Sequence, residues 1–357
     1  MEQETIKNNN ITFALTEFGL EPEDCQVKKF GSGLINYTWK LTDGKGSYIL
    51  QQINDTIFKR PEDIAGNIRK LQVFLQKTAP EYLFVTPLPS LSGKYLVRSE
   101  DGSSYRLLPF IQGSHTIDYL QHQEQAYEAA VQFGKFTRLL KDFDLNGLKY
   151  TLQDFHNLNL RLEEFKTAHA HASHHRLEMA KEAVEAVFSN IGIAETYEQM
   201  ISKGEIPLRV THHDTKINNV LFDGRGKGLC VIDLDTVMPG FYLSDVGDML
   251  RTCLSPAGEE EGDLSKIHIR EGFFMAIYKG YMKEMGEVLT PKEKSLFVYS
   301  GKMMIYMQAL RFLTDFLNGD PYYHITYPEQ NLARACNQFE LLRLYNQQED
   351  RFLQLTA

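Results

Sequence analysis

The stretch THHDTKINNVLFD, Thr211 to Asp223, sets two histidines, two aspartates and two adjacent asparagines around one short apolar run. Such a cluster is either a polar turn ahead of a strand or a loop that does chemistry. Asp214 precedes Asn219 by five residues, and Asp233 and Asp235 follow in KGLCVIDLDTVMPG. This is the donor set that phosphoryl transfer requires. One carboxylate must orient the attacking hydroxyl and accept its proton. Another carboxylate, with an amide oxygen, must hold Mg²⁺, a hard cation that prefers oxygen ligands. The apolar runs NVLFD and GLCVID read as the pair of strands that supports the loop.

A second chemical signal is FGSGLINYTWK. Gly31, Ser32 and Gly33 would let backbone N–H groups approach phosphates. The pattern G-x-G-x-x-G is incomplete, because Asn36 holds the third glycine's place, and a plain strand turn would use the same residues. No Walker A sequence is present. HAHASHH carries His169, His171, His174 and His175. With no carboxylate or cysteine pattern nearby, it reads as a solvated helix end rather than a metal site.

These residues need elements to position them. Tyr37–Leu41 and Ser47–Ile53 are β-prone runs joined by the hairpin-like turn TDGKG, and a preceding strand ends near Phe30. Pro61 opens a helix with apolar residues at Ile64, Ile68, Leu71 and Leu75. A second hairpin, Tyr95–Arg98 and Tyr105–Ile111, turns at Asp101-Gly102. That predicts five strands and one helix before residue 110. Beyond residue 120 the spacing is helical, with long segments from Ile267 to Met285 and from Lys292 to Leu317. The fold expected is α+β, with a small antiparallel-sheet lobe over residues 1–110 and a larger, mostly helical lobe over 111–357.

Bulk properties narrow the partners. The 357 residues suffice for two lobes with a sizeable core, and the net charge of −9 excludes a general nucleic-acid binder. A few local lysines or N–H groups would still serve a small phosphorylated ligand. The four cysteines are widely spaced with no CxxC pair, which suits a reducing compartment. The polar start MEQETIKNNN has no signal-peptide core and no long apolar run appears, so the expected location is the cytoplasm, without a membrane partner. The oligomeric state is left open, a monomer being one option.

Taken together, the His212-His213-Asp214 to Asn219 loop and the hydrophobic strand ending in Asp233 resemble the aminoglycoside phosphotransferase and choline kinase superfamily, which has the protein-kinase-like fold. That family's loop has the form H-x-D-x-x-x-x-N. The resemblance implies ATP as cosubstrate with Mg²⁺, Asp214 as catalytic base, Asn219 and Asp233 as Mg²⁺ ligands, and His212 as a brace for the loop. Asp245 in LSDVGDMLR would buttress the loop, although a plain helix N-cap explains it equally. The nucleotide base would bond backbone groups of Leu108 and Phe110 in RLLPFIQG, between apolar Leu34, Leu221 and Ile232. Most relatives carry lysine on the strand YILQQIN, paired with glutamate on the next helix. Here Gln51 and Gln52 occupy the candidate positions, and the helix offers Asn67.

Glutamine at that place, DTKINNVLFD and VIDLDTVMPGFYLSDVGD look like the N-acetylhexosamine 1-kinases, and RFLTDFLNGDPYY adds to the likeness. The resemblance implies phosphoryl transfer from ATP to the anomeric hydroxyl of N-acetylglucosamine or N-acetylgalactosamine. Asp235 would alternate to the other face of a continuing strand and accept sugar hydroxyls. Arg311 and Tyr322, with Tyr323 beside it, would clamp the sugar; a surface ion pair and a packed loop are the plainer readings. Other acceptors (choline, homoserine, an aminoglycoside) remain open, as does a nucleotide-binding pseudokinase, which the missing lysine motivates.

Overall fold

The computed structural model describes residues 9–31 and 35–357, so Ser32, Gly33 and Leu34 lie outside the described residues. A helix, α1 (Asn9–Glu17), comes first. The strands β1 (Gln26–Lys29), β2 (Tyr37–Thr42) and β3 (Ser47–Ile53) follow, then α2 (Pro61–Thr78), β4 (Val97–Arg98) and β5 (Ser104–Pro109). The strands form one antiparallel sheet in the order β1-β2-β3-β5-β4. Asp43 makes the β2–β3 turn by accepting the N–H groups of Lys45 and Gly46 at 2.8 and 2.7 Å. Pro61 sits in the first turn of α2, where its missing N–H costs nothing.

Strand alternation gives the sheet two unlike faces. Leu50, Tyr105 and Leu107 point to one side, where Ile11, Ala14 and Leu15 of α1 close a small core. The side chains of Gln51 and Arg106 meet on the other side. The helix α1 is an addition to the sequence reading, which expected one helix in this part. The helix α2 buries Ile64, Ile68, Leu71 and Leu75, but in the larger core of the helical part. Asn67, also on α2, is 1 % exposed; its amide donates to the Lys149 and Val237 carbonyls and accepts from the Lys149 N–H.

After the connector come α3 (Gln123–Leu139), α4 (Leu158–His171), α5 (His174–Met179), α6 (Lys181–Ser189) and α7 (Gly192–Ser202). Two small hairpins are set among the helices. The strand β6 (Arg209–Thr211) pairs with β9 (Met238–Gly240), and β7 (Val220–Phe222) pairs with β8 (Gly228–Val231). The chain ends with α8 (Tyr242–Cys253), α9 (Glu271–Met285), α10 (Pro291–Ser295), α11 (Phe297–Leu317), α12 (Gln330–Gln347) and α13 (Glu349–Thr356). The predicted helix from Lys292 to Leu317 is thus two helices, and the one predicted from Ile267 begins at Glu271. At Gly247 the helices α8 and α11 touch backbone to backbone: an added Cβ would lie 2.3 Å from the Ser300 carbonyl oxygen. His115, in the connector, exchanges backbone hydrogen bonds with Phe222, which ties the sheet's exit to β7. The four cysteines are free thiols. Among the described residues no helix is long and apolar enough to cross a membrane.

Candidate active site

The loop after β6 is held from below by the first turns of α8. Asp245, 1 % exposed, accepts the N–H groups of His212 and His213 at 3.0 and 2.8 Å. Asp248 accepts the Thr215 N–H at 2.8 Å, and the Thr215 hydroxyl donates to the Asp245 carbonyl. Asp245 caps nothing in its own helix, so of its two readings the buttress is the one the bonds describe. His213 takes a left-handed backbone, φ 66°, a conformation that costs energy unless its surroundings enforce it. The ring of His212 is fully buried edge-on to Phe133 and Phe136. Its Nε2 donates to the Ile232 carbonyl at 2.9 Å, leaving Nδ1 to accept the Asp214 N–H at 3.4 Å. Both ring nitrogens are therefore spent on backbone, and His212 positions rather than reacts.

Asp214 stands where these braces converge, with its side chain 29 % exposed. Asn219 Nδ2 donates to the Asp214 carbonyl at 2.9 Å and to its carboxylate at 2.8 Å. Lys216 Nζ lies 3.4 Å from the other carboxylate oxygen. Burial alone would raise the Asp214 carboxyl, but opposing effects led by the Lys216 charge hold it below the ordinary carboxylate value. Lys216 is raised in turn, chiefly by Asp214. Burial pulls His212 down and His213 to about 4, so these imidazoles are neutral near pH 7.

Asn219 spends its amide N–H on Asp214, and its Oδ1 takes no hydrogen bond from the described residues. The Ile232 N–H donates to the Asn219 carbonyl at 2.9 Å, which brings Asp233 beside it. Asp233 is exposed, has φ 58°, and has no side-chain hydrogen bond or ion pair among the described residues. Although its surface reaches solvent, the protein packed around it, then the charges of Asp235 and Asp214, push its carboxyl up to about 7. An unpaired carboxylate crowded by like charges, next to a free amide oxygen, suits a divalent cation. Among the described residues no group of three or more His, Cys, Asp or Glu could hold a metal. Mg²⁺ fits that limit, because it commonly takes one or two protein carboxylates and completes its shell with water and substrate phosphate.

Asp235 departs from expectation. The left-handed residue Asp233 ends the strand, and Leu234–Thr236 form a 3-10 turn, so there is no continuing alternation. One carboxylate oxygen pairs with Arg106 Nη1 on β5, and the other accepts Asn36 Nδ2 at 2.8 Å. Asp235 is thus bonded to the sheet through both oxygens and, at 2 % exposed, is turned away from solvent in this arrangement. Gln51 shares the sheet face of Arg106, while Gln52 bonds Ser103. Gly31 is described, with φ 80°; Ser32 and Gly33 lie outside the described residues. Leu108 is within β5, and the Phe110 N–H donates to the Ser47 carbonyl at 3.2 Å, so Phe110 offers a nucleotide base only its carbonyl. Leu221 and Ile232 are half-buried near the loop.

Arg311 and Tyr322 do come together. The guanidinium lies 5.2 Å from the Phe155 ring, 5.6 Å from Tyr323 and 6.0 Å from Tyr322. Its recorded hydrogen bond goes to Gln308, and it has no carboxylate partner among the described residues. Phe155 in turn meets the His213 ring at 6.4 Å, which links this nest to the loop of Asp214. Asp315 holds the tyrosine segment by accepting the Tyr322 and Tyr323 N–H groups, both at 2.9 Å.

Sequence reasoning passed over Lys216, Asn36 as a ligand of Asp235, and Arg106; it placed Asp248 with Asp245 at a helix start, without its bond to the Thr215 N–H. Lys216 had a visible signal, lying two residues after Asp214. Arg106 had none, since only strand register sets it opposite Gln51.

The phosphotransferase enzyme family (APH) matches residues 26–270 of the chain. Solved structures with a similar fold include an amicoumacin kinase in complex with AMP-PNP and Ca²⁺, at 16% identity and a TM-score of 0.61 over 97% of this chain and 94% of that one. A microcompartment-associated aminopropanol kinase is 14% identical, with a TM-score of 0.64 over 96% and 98%. A choline/ethanolamine kinase family protein from Mesorhizobium loti is 14% identical, with a TM-score of 0.54 over 97% and 98%.

Proposed function

Because the chain belongs to the phosphotransferase enzyme family, we propose that it transfers the γ-phosphoryl group of ATP to the anomeric hydroxyl of an N-acetylhexosamine, giving the sugar 1-phosphate and ADP. Asp214 accepts the proton of the hydroxyl as its oxygen bonds to the γ-phosphorus and the bond to the bridging oxygen of ADP breaks. A carboxylate held below its usual pKa is a weak base. It suits an anomeric hydroxyl, which is more acidic than an ordinary alcohol. Asn219 and Lys216 fix the carboxylate, and Lys216 adds positive charge beside the transferred group. Asp233 and Asn219 Oδ1 would hold Mg²⁺, which when bound neutralises charge on the phosphates.

The observation that carries the acceptor class is Arg311. A guanidinium without a carboxylate, ringed by Phe155, Tyr322 and Tyr323, offers donors and apolar faces to a polyhydroxyl compound with a carbonyl group. Arg251 and Lys216, also near the loop, are paired with Asp248 and Asp214, so it is Arg311 that sets this side of the cleft against a cationic acceptor such as choline or an aminoglycoside. The acceptor site is accordingly assigned to Arg311 and Tyr322, without Asp235.

The test is coupled ADP release with Mg-ATP and N-acetylglucosamine, N-acetylgalactosamine, glucose, choline, homoserine or kanamycin, for wild type and Asp214→Asn. Turnover is expected on the N-acetyl sugars, falling about 10²–10⁴-fold in the variant with ADP affinity retained. Turnover on choline or kanamycin alone overturns the acceptor assignment. Near-normal rates in Asp214→Asn overturn the base assignment. Nucleotide binding without turnover on any acceptor removes the N-acetylhexosamine reading in favour of another acceptor or a pseudokinase.

A further inference from the structure

We propose that Arg106 on β5 is the cation that meets the nucleotide phosphates on the sheet side of the cleft, an inference that rests on the phosphotransferase reading. Gln51 and Arg106 are register partners on β3 and β5. Gln51 Oε1 accepts Arg106 Nε–H at 2.9 Å, and Gln51 Nε2 donates to the Thr38 hydroxyl at 3.2 Å. Both ends of the amide are engaged, so Gln51 aims the guanidinium instead of meeting a ligand itself.

The guanidinium is tied to the segment that carries Asp233, the residue proposed to hold Mg²⁺. Its Nη1 pairs with Asp235, two residues beyond Asp233, and the other Asp235 oxygen holds Asn36, at the end of the glycine segment. The described ends of that segment, including Gly31 and Asn36, line with Thr38 and Asn54 a cavity of about 150 Å³. Arg106 does not line that cavity but is joined to its Asn36 wall through Asp235, so a phosphate chain held between the sheet and Asp214 would come within reach of its free donors.

The donor count points the same way. An arginine has five N–H donors, and those of Arg106 serve Gln51 through Nε and Asp235 through Nη1. Nη2 has no hydrogen bond among the described residues, although Arg106 is only 4 % exposed. Nη2 is not one of the buried polar atoms left without a partner, so its N–H groups reach water, and a phosphate oxygen can take that water's place. The planar fork can hold Gln51, Asp235 and that oxygen together, and Asp235 balances the charge when no nucleotide is bound. Lys40, two residues from Thr38 on the same sheet face, is engaged with the Phe110 ring at 3.5 Å. Lys216 is committed to Asp214.

Calorimetry with ADP and with adenosine, in Mg²⁺ and without acceptor, separates a phosphate ligand from a strut. Loss of one charge-assisted contact predicts that Arg106→Gln weakens ADP about 10- to 100-fold while adenosine affinity stays within about twofold. Arg106→Lys keeps the charge and most of the preference for ADP. Gln51→Lys combined with Arg106→Gln restores it, since an ammonium one strand over reaches the same space. If Arg106→Gln fails to fold, Arg106→Lys carries the comparison: a loss of ADP affinity no larger than that of adenosine, with no salt-sensitive ADP binding restored by the ammonium, overturns the proposal. Equal losses for ADP and adenosine, or none for either, overturn the proposal and leave the phosphotransferase reading standing. Wild type that binds no ADP overturns that reading, and this inference with it.

Discussion

Asp245→Asn separates what a buried carboxylate does for the loop from what its charge costs the fold. Asp245 accepts the His212 and His213 N–H groups from a site 1 % exposed to solvent. Burial, its largest influence, raises its carboxyl from the ordinary 3.8 to about 7, with the two N–H bonds opposing and the Asp248 and Asp214 charges assisting. The folded chain therefore keeps a proton that the unfolded chain releases between about pH 4 and 7. Stability from this group is full below about pH 4 and is lost as pH rises to about 7. At about 1.4 kcal/mol per pH unit, some three units amount to about 4 kcal/mol. Asparagine does not titrate, so its stability lacks this slope. It also has one acceptor oxygen where the carboxylate has two, and turns an N–H donor toward a histidine N–H, at a cost of about 1–3 kcal/mol. Urea denaturation in steps of pH, without nucleotide, should show the wild-type advantage of about 1–3 kcal/mol near pH 4 shrink and then reverse, a relative change of up to about 4 kcal/mol by about pH 8. Even where stabilities converge, kcat should stay about 10- to 100-fold down, because the loop that carries Asp214 has lost a tie. Parallel stability curves across that range would refute the buried-charge reasoning, and normal kcat would refute the buttress.

Two further outcomes test other parts of the site. Arg311→Met should raise KM for the acceptor about 10- to 100-fold, as expected for a lost hydrogen bond to a charged group, and leave ADP affinity by calorimetry unchanged; equal damage to both would take Arg311 out of the acceptor site. Gly247→Ala should destabilise the chain by about 1–3 kcal/mol in urea, because its Cβ would stand 2.3 Å from the Ser300 carbonyl oxygen; an unshifted midpoint would mean that α8 and α11 part more freely than their contact indicates.

The parts of the fold that sequence predicts well are those with a local cause. Alternation and an aspartate turn mark β2 and β3, and Pro61 with its apolar stripe marks α2. The helix α1 spans nine residues, and its few apolar positions become meaningful only against Leu50, Tyr105 and Leu107. The same division runs through the site. Asp214, Asn219 and Asp233 stand out because their types and spacing suit one reaction. The account of Asp235 failed because it assumed a continuing strand, and Asp233 ends that strand with a left-handed backbone. The link from Gln51 to Arg106 spans 55 positions and exists only through register. Whether Asp245 caps its helix or supports the loop depends on N–H groups more than 30 positions earlier in the chain.

The allegiance of α2 bears on how such a chain can be taken apart. In sequence α2 lies inside the sheet-forming part, yet its apolar stripe is covered by the helical part, and Asn67 is bonded to Lys149 and Val237. A chimera joined in the connector near residue 110 would carry that stripe into a foreign partner. It would need matching apolar contacts and carbonyls there before it bound any nucleotide. Exchange of sheet-forming halves between relatives is therefore a problem of transplanting a helix interface, and the loop that carries Asp214 is the easier cargo.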